Sequence, residues 1–472
     1  MMIRSFLDAN FLLRTDTAVE LFRRHAEKLP IADYHTRLRA DLIAANQPID
    51  NLTALWIEPD PAKWRLMRAG GVPEDFISGN CPPYDKFEKW AEILSLAMRH
   101  PIYHQAHMEL NRVFGIQETL KPSNARDIYE SCTAKLQTPE YLPQAILKRM
   151  RVETLTTTND PADALDAHLA LREVADGNGL RILPTWHPDC VLDLRDAERY
   201  NAYLDRLSAA ADVSITDYND LLEALRRRHK SFGEAGCLLT LHHLATFPDA
   251  PIPADADQVA DAALRKVREG ATPSEDECLS FRTMLLHDLA AMDAEEERVQ
   301  MFHVGALCDL NPRIGKKSGP DAGFDAPSDW PTAEQMARFF ARLDAEGNLA
   351  ETIVSCYNPS ESQAVAGVAA CFAGRGVRMH YVPGWWHIGC PALLEAQLDV
   401  LSAEGLSAQS VGFASGARTL LAPVRHEYFR RMVCDVFGRE VEQGLLPAGD
   451  LSFVKRTIEN LCSTNARRLM DR

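Results

Sequence analysis

The chain has 472 residues, 46% hydrophobic and 25% charged, with a formal net charge of −16, which is enough length and apolar content for a large core. So acidic a chain is not built to meet nucleic acid or an anionic membrane as its main partner, and no run of about 18 apolar residues offers a membrane-spanning helix. The opening "MMIRSFLDANFLLRTD" lacks an apolar run with a small-residue cleavage site, and the eleven scattered cysteines include no CxxC pair, so a cytoplasmic protein with reduced thiols is expected.

In chain order, eight short runs of β-formers alternate with helical patterns. The runs are "PIADYH" (30–35), "VETLTT" (152–157), "RILPTW" (181–186), "GCLLTL" (236–241), "VQMFHV" (299–304), "TIVSCY" (352–357), "VRMHYV" (377–382) and "AQSVGFA" (408–414). A long helical insertion is expected at about 40–150, where "AKWRLMRAGGV" and "PIYHQAHMELNRVFGI" read as helices ended by glycine. Further helical elaborations are expected at about 190–235 and 255–298. "ESQAVAGVAACFAGRG" and "PALLEAQLDVLSAEG" read as crossover helices, and "RHEYFRRMVCDVFGREVEQG" as a closing helix with Phe429, Met432, Val433, Val436 and Phe437 on one face. Strand–helix alternation implies parallel strands, and eight units predict an α/β fold, a distorted (β/α)₈ barrel forming one domain over 1–472.

In such a barrel the chemistry sits at the C-terminal ends of the strands. Those ends carry His35, His187, His242, His303 and His387, five of only 15 histidines. One histidine alone is most often a packing residue, but the set predicts a polar, titratable pocket. Arg37 and Arg418 add fixed cations there. His242 and His243 are adjacent and face opposite ways, so only one can reach the pocket. "PRIGKKSGPDAGFD" lacks the GxxxxGK[ST] order of a phosphate loop and reads as a loop over the barrel mouth.

The stretches "WRLMRAGGV", "HPIYHQAHMELNRVFGI", "TTTNDP", "LPTWHPD", "GPDAGFD", "NPSES", "GWW" and "RHEYFRR", in this order, resemble the uronate (glucuronate) isomerase family of the amidohydrolase superfamily, from about Phe11 to Arg467. The resemblance implies a distorted (β/α)₈ barrel. It also implies metal-assisted interconversion of aldose and ketose hexuronates through an enediol. It keeps His35, His303, Asp321, Asp325, Trp385, Trp386 and Arg418 at family positions and places His242 at the family's histidine. It also marks departures. Arg37 stands at the second histidine of the family's His-x-His. Gly416-Ala417-Arg418 stands at its Asp-Ser-Arg, whose Asp is a metal ligand. Pro61 and Ala62 replace a His and a Tyr, His187 and Ser360 replace arginines, and His387 replaces a phenylalanine.

A divalent ion needs neutral imidazoles and a carboxylate, and an arginine can supply neither. The expectation is therefore a diverged uronate isomerase-like enzyme without a catalytic metal or other cofactor. Its substrate would be a small anionic polar molecule, a sugar acid or another carboxylate. His35, His303 or His387 would serve as general acid or base. Arg37 and Arg418 would stabilise negative charge, and His187, Trp385, Trp386, Asp321 and Ser360 would contact substrate. One alternative is a retained glucuronate or galacturonate isomerase with zinc or another divalent metal on His35, His242, His303 and His387. Another is a non-catalytic ligand-binding relative. An equal alternative is a structural Arg37, paired with Asp33 or Asp321. A homo-oligomer is expected in each case.

Overall fold

A computed structural model describes residues 4–253, 255–374, 376–384, 386 and 390–472. Seven parallel strands follow one another around a curled sheet: β1 (Ile31–Asp33), β2 (Val152–Asn159), β3 (Arg181–Trp186), β4 (Leu239–Leu244), β5 (Val299–Val304), β8 (Thr352–Cys356) and β9 (Met379–Tyr381). A two-residue antiparallel pair, β6 (Ala306–Leu307) with β7 (Ala326–Pro327), lies between β5 and β8 and was not foreseen. The eighth β-forming run forms no strand. The ring closes instead just beyond it, through a parallel bridge between Thr36 and Ala417. There Arg37 N donates to Ala417 O at 2.8 Å and Gly416 N to His35 O at 3.1 Å.

The interior of the ring is filled by side chains of alternate strand residues, among them Leu183, Leu239, Leu241, Val299, Met301 and Ile353. This is the expected filling of a closed barrel. The intervening residues, such as Phe302, Val304 and Val354, face the surrounding helices and join the larger outer core. β4 starts three residues later than its run suggested, at Leu239 rather than Gly236. The difference has a simple cause: Gly236 has φ +94°, a turn conformation that favours glycine, and it ends the preceding loop.

Between β1 and β2 the insertion is helical, including Pro61–Ala69, Pro83–Leu96, Pro101–Phe114 and Ala125–Leu136. Pro101–Phe114 ends at Gly115, whose φ of +75° is the left-handed stop foreseen for it. Helices Ala197–Ala211, Tyr218–Glu234, Ala256–Arg268 and Glu275–Glu295 occupy the two later helical segments. The closing helix, Val424–Glu442, is buried on more than its apolar face. Arg431 pairs with Glu427 at 2.8 Å and also donates to the carbonyls of Ala9 and Phe11, and buried Asp435 accepts from Arg14 N at 2.7 Å. The N-terminal segment covers the face that periodicity alone would leave in water. Among the described residues no helix is long and apolar enough to cross a membrane.

Candidate active site

The C-terminal ends of the strands open into a cavity of about 710 Å³ whose lining includes Arg37, His187, His243, His303, Asp321, Trp386 and Arg418. Strand register builds its floor. His243 of β4 sits directly beside His303 of β5, and both continue the inward parity set by Leu239, Leu241, Val299 and Met301. His303 Nδ1 lies 3.1 Å from His243 Nε2, and His243 Nδ1 lies 3.1 Å from His187 Nε2. His35 packs edge-on against His303 at a centroid distance of 4.7 Å, and both of its buried ring nitrogens have no hydrogen-bond partner.

The same parity corrects the choice of His242. Its ring turns outward and stacks on Phe302 at 5.5 Å, while its Nδ1 meets Asp189 Oδ1 at 2.6 Å. His243 takes the pocket position. Asp189, two residues beyond His187, ties these elements together: its Oδ2 accepts the backbone N–H of His243 at 2.7 Å and lies 3.1 Å from His187 Nε2. His187 and His242 draw the Asp189 carboxyl well below the usual carboxylate range, against the effect of burial. His243, weighed against His242 and not chosen, and Asp189 are the site residues missing from the expected set. Strand parity held the signal for His243, and the spacing "WHPD" held it for Asp189.

Arg37 and Arg418 converge on one carboxylate, with Arg37 Nη1 and Arg418 Nη2 both donating to Asp321 Oδ2. Asp321 is delivered by the loop after helix Pro312–Ser318, at φ +58°, which places the "GPDAGFD" segment over the mouth as foreseen. Asp33 is not a partner of Arg37. It is buried on the closing seam, where Ser415 N donates to its Oδ1 at 3.0 Å and His426 Nε2 lies 3.1 Å from its Oδ2. Arg37 Nη2 also lies 3.2 Å from His243 Nε2. The same Nη2 lies 3.5 Å from His243 Nδ1, so the guanidinium stands beside both nitrogens of this ring.

Burial, with the guanidinium of Arg37, holds these imidazoles in the neutral form. The His303 ring is pushed down to about 3, by burial first and Arg37 second. His35 and His243 are also lowered well below the ordinary histidine value, His35 by burial and then His303, His243 by burial and then Arg37. The Trp386 ring stands edge-on to His303 at 5.4 Å, with Tyr357 at 5.0 Å beyond it. Ser360 does not come to the cavity: it is exposed and its Oγ donates to Asn358 Oδ1 at 2.7 Å, closing a local turn. Trp385 and His387 lie outside the described residues.

Among the described residues, two groups of side chains could hold a metal ion, each with ligand atoms within 4.8 Å of one another: His35, His243 and His303; and His187, Asp189 and His243. Of the expected set, the first group contains His35 and His303, has His243 in place of His242, and leaves His387 outside the described residues.

A family model described as glucuronate isomerase matches residues 3–470 of the chain. A uronate isomerase of Phocaeicola vulgatus is 38% identical over 469 residues, 99% of each chain. One from Bacteroides fragilis is 37% identical over 472 residues, 98% of this chain and 99% of the relative. The crystal structure of a Thermotoga maritima uronate isomerase superposes with a TM-score of 0.90 at 28% identity, covering 99% of this chain and 100% of the other. The glucuronate isomerase of Caulobacter crescentus gives 0.88 at 24% identity, covering 99% and 97%, and attests the fold alone.

Proposed function

Because the chain belongs to the glucuronate isomerase family, with the (β/α)₈ fold of amidohydrolase-type enzymes, we propose that it interconverts the aldose and ketose forms of a small sugar acid by proton transfer on its own side chains. The observation that carries this reading is the convergence of Arg37 and Arg418 on a single carboxylate above the His303–His243 pair. Two guanidiniums gather at the point where a substrate carboxylate or a developing enediolate would need them. Asp321, 35% exposed at its side chain, occupies that place and is exchanged for the anion of the substrate.

The reaction moves two protons, one from C2 to C1 and one from O2 to O1. His303 takes the C2 proton while the electron pair moves into the C1 carbonyl, giving an enediolate. The O2 proton passes to O1, and the same imidazolium returns its proton to C1 as the electron pair left on O2 forms the C2 carbonyl of the ketose. An imidazole pushed down to about 3 is a weak base towards water. Beside an enediolate its protonated form is stabilised, so basicity rises only as the negative charge develops. Arg37 and Arg418 hold that charge, and His187 with Asp189 fixes the orientation of His243.

Whether a divalent ion fits turns on His243. Its two ring nitrogens, one of which an ion on His35, His243 and His303 would require, lie 3.5 and 3.2 Å from Arg37 Nη2, and a fixed cation at that distance repels a second one. The donor set therefore does not fit an ion with Arg37 in place, and no step is routed through one. The spacing of the three imidazoles favours the second reading, an isomerase with a rearranged metal site. Proton NMR in D₂O with glucuronate and galacturonate tests the reaction, alongside elemental analysis and a chelator. The expected result is ketose with solvent deuterium at the reacting carbon and a rate that a chelator leaves unchanged. Folded protein that neither forms ketose nor exchanges the C2 hydrogen overturns the isomerase reading. One tightly held equivalent of zinc overturns the metal-free part.

A further inference from the structure

A second cavity, of about 460 Å³, adjoins the first, and Asp321, Asp325, Tyr357, Trp386 and Arg418 line both. Its far wall comes from the helical insertion: Pro61, Ala62, Leu66 and Ala69 from one helix, Pro101 and Ile102 from the next. These are small or apolar side chains, and the charged groups bordering them are already engaged. Arg65 Nη1 donates to the Asp325 carbonyl at 2.5 Å, Arg425 Nη1 to the Ser415 carbonyl at 3.0 Å, and the Asp60 carboxylate holds Lys63 at 2.5 Å. His100 Nδ1 accepts from Ile102 N at 3.2 Å, capping its own helix. Between these polar groups and Gln105, the wall that faces the cavity from the insertion is apolar.

A plain hexuronate has no apolar counterpart for that wall, and one held by Arg37 and Arg418 would fill only part of the first cavity. Arg418 lines both cavities, so an anion bound to it lies where the two meet. Building on the reading of the first cavity as a sugar-acid isomerase site, the geometry points to a substrate that carries an apolar substituent. The substituent sits on an oxygen remote from C1 and C2 and seats between the Tyr357–Trp386 pair and the Ala62–Leu66–Ile102 wall. The reacting end stays an unsubstituted aldose, as proton transfer from C2 to C1 demands. Ala62, Leu66 and Ile102 are then specificity-determining residues.

The test compares glucuronate with its 4-O-methyl and 4-O-benzyl ethers, by turnover and separately by calorimetric binding. The expected gain from hydrogen to benzyl is roughly ten- to hundredfold in affinity and in kcat/KM, the range that burying a phenyl-sized apolar group gives. Ala62→Trp, which fills the cavity, is expected to bring the benzyl-to-hydrogen ratio to one or below. Leu66→Gln, which keeps the volume and puts an amide on the wall, should cut it severalfold and serves if the tryptophan variant does not fold. Equal or weaker binding of the benzyl ether, or a preference that survives both variants, overturns the proposal. Tight binding of the benzyl ether that Ala62→Trp abolishes, without turnover of any uronate, upholds it while the isomerase reading fails.

Discussion

Replacing Arg37 by methionine separates a catalytic role from a structural one. The side chain is 26% exposed and its ion partner Asp321 is 35% exposed, and Asp321 keeps Arg418 as a partner in the variant. A pair so open to water contributes about 0–1 kcal/mol, so a purely structural Arg37 predicts a small drop in Tm and nearly full activity. A guanidinium aimed at developing negative charge predicts otherwise: losing one such donor costs about 3–4 kcal/mol in the transition state, a fall of roughly 10²–10³ in kcat. A second consequence concerns His243. A proton on that ring would meet the guanidinium at 3.2 Å, a repulsion of about 5 kcal/mol at an effective dielectric of about 20. Removing Arg37 therefore makes His243 easier to protonate, although burial still opposes it. The assay pairs steady-state kinetics on the preferred uronate with thermal unfolding and an NMR titration of the imidazole C–H resonances. Arg37→Lys should recover part of kcat, because the charge returns without the fork. A methionine variant with kcat within threefold of the parent and an unmoved His243 titration would refute the reasoning.

Other outcomes follow from the same geometry. Burial, and then Arg37, pushes the folded His303 ring down to about 3, whereas an unfolded histidine titrates near about 6.5. Acidification through that window makes unfolding take up protons, so the urea midpoint should fall steadily as pH drops from about 6.5 towards 3; a flat profile would contradict the buried neutral cluster. His243→Ala should lower kcat about 10²-fold, in the range for loss of a proton-transfer group or its neighbour. His242→Ala should instead cost about 1–3 kcal/mol of stability by leaving Asp189 Oδ1 without its donor, and the ratio of kcat to Tm effects distinguishes the two. Arg37→His with Gly416→Asp restores neutral and anionic donors beside His35 and should retain one zinc through dialysis where the parent retains none. Asp321→Asn should tighten binding of a sugar-acid carboxylate severalfold in calorimetry, because the competing anion is gone; weaker binding would instead make Asp321 a substrate ligand.

The strand–helix alternation, seven of the eight strands and the cluster of histidines at strand ends were legible because they depend on local patterns: runs of β-formers, glycine stops and the apolar periodicity of the crossover helices. Family-specific motifs such as "HPIYHQAHMELNRVFGI" and "RHEYFRR" added the chain's kinship. Three features were decided only in three dimensions. Which of His242 and His243 faces the cavity depends on strand parity counted from Leu239, and so on where β4 begins, a boundary that shifts by three residues once Gly236 is seen to turn at φ +94°. The partner of Arg37 is 284 residues away in sequence, brought by a mouth loop whose course no local pattern specifies. The second cavity arises where two helices of the insertion meet the closing seam at Gly416 and Arg418. Local propensity can state which residue types stand at the rim of a barrel. Which of them touch is set by register, parity and long-range packing, and that is where the chemistry of this chain departs from a reading of its motifs one at a time.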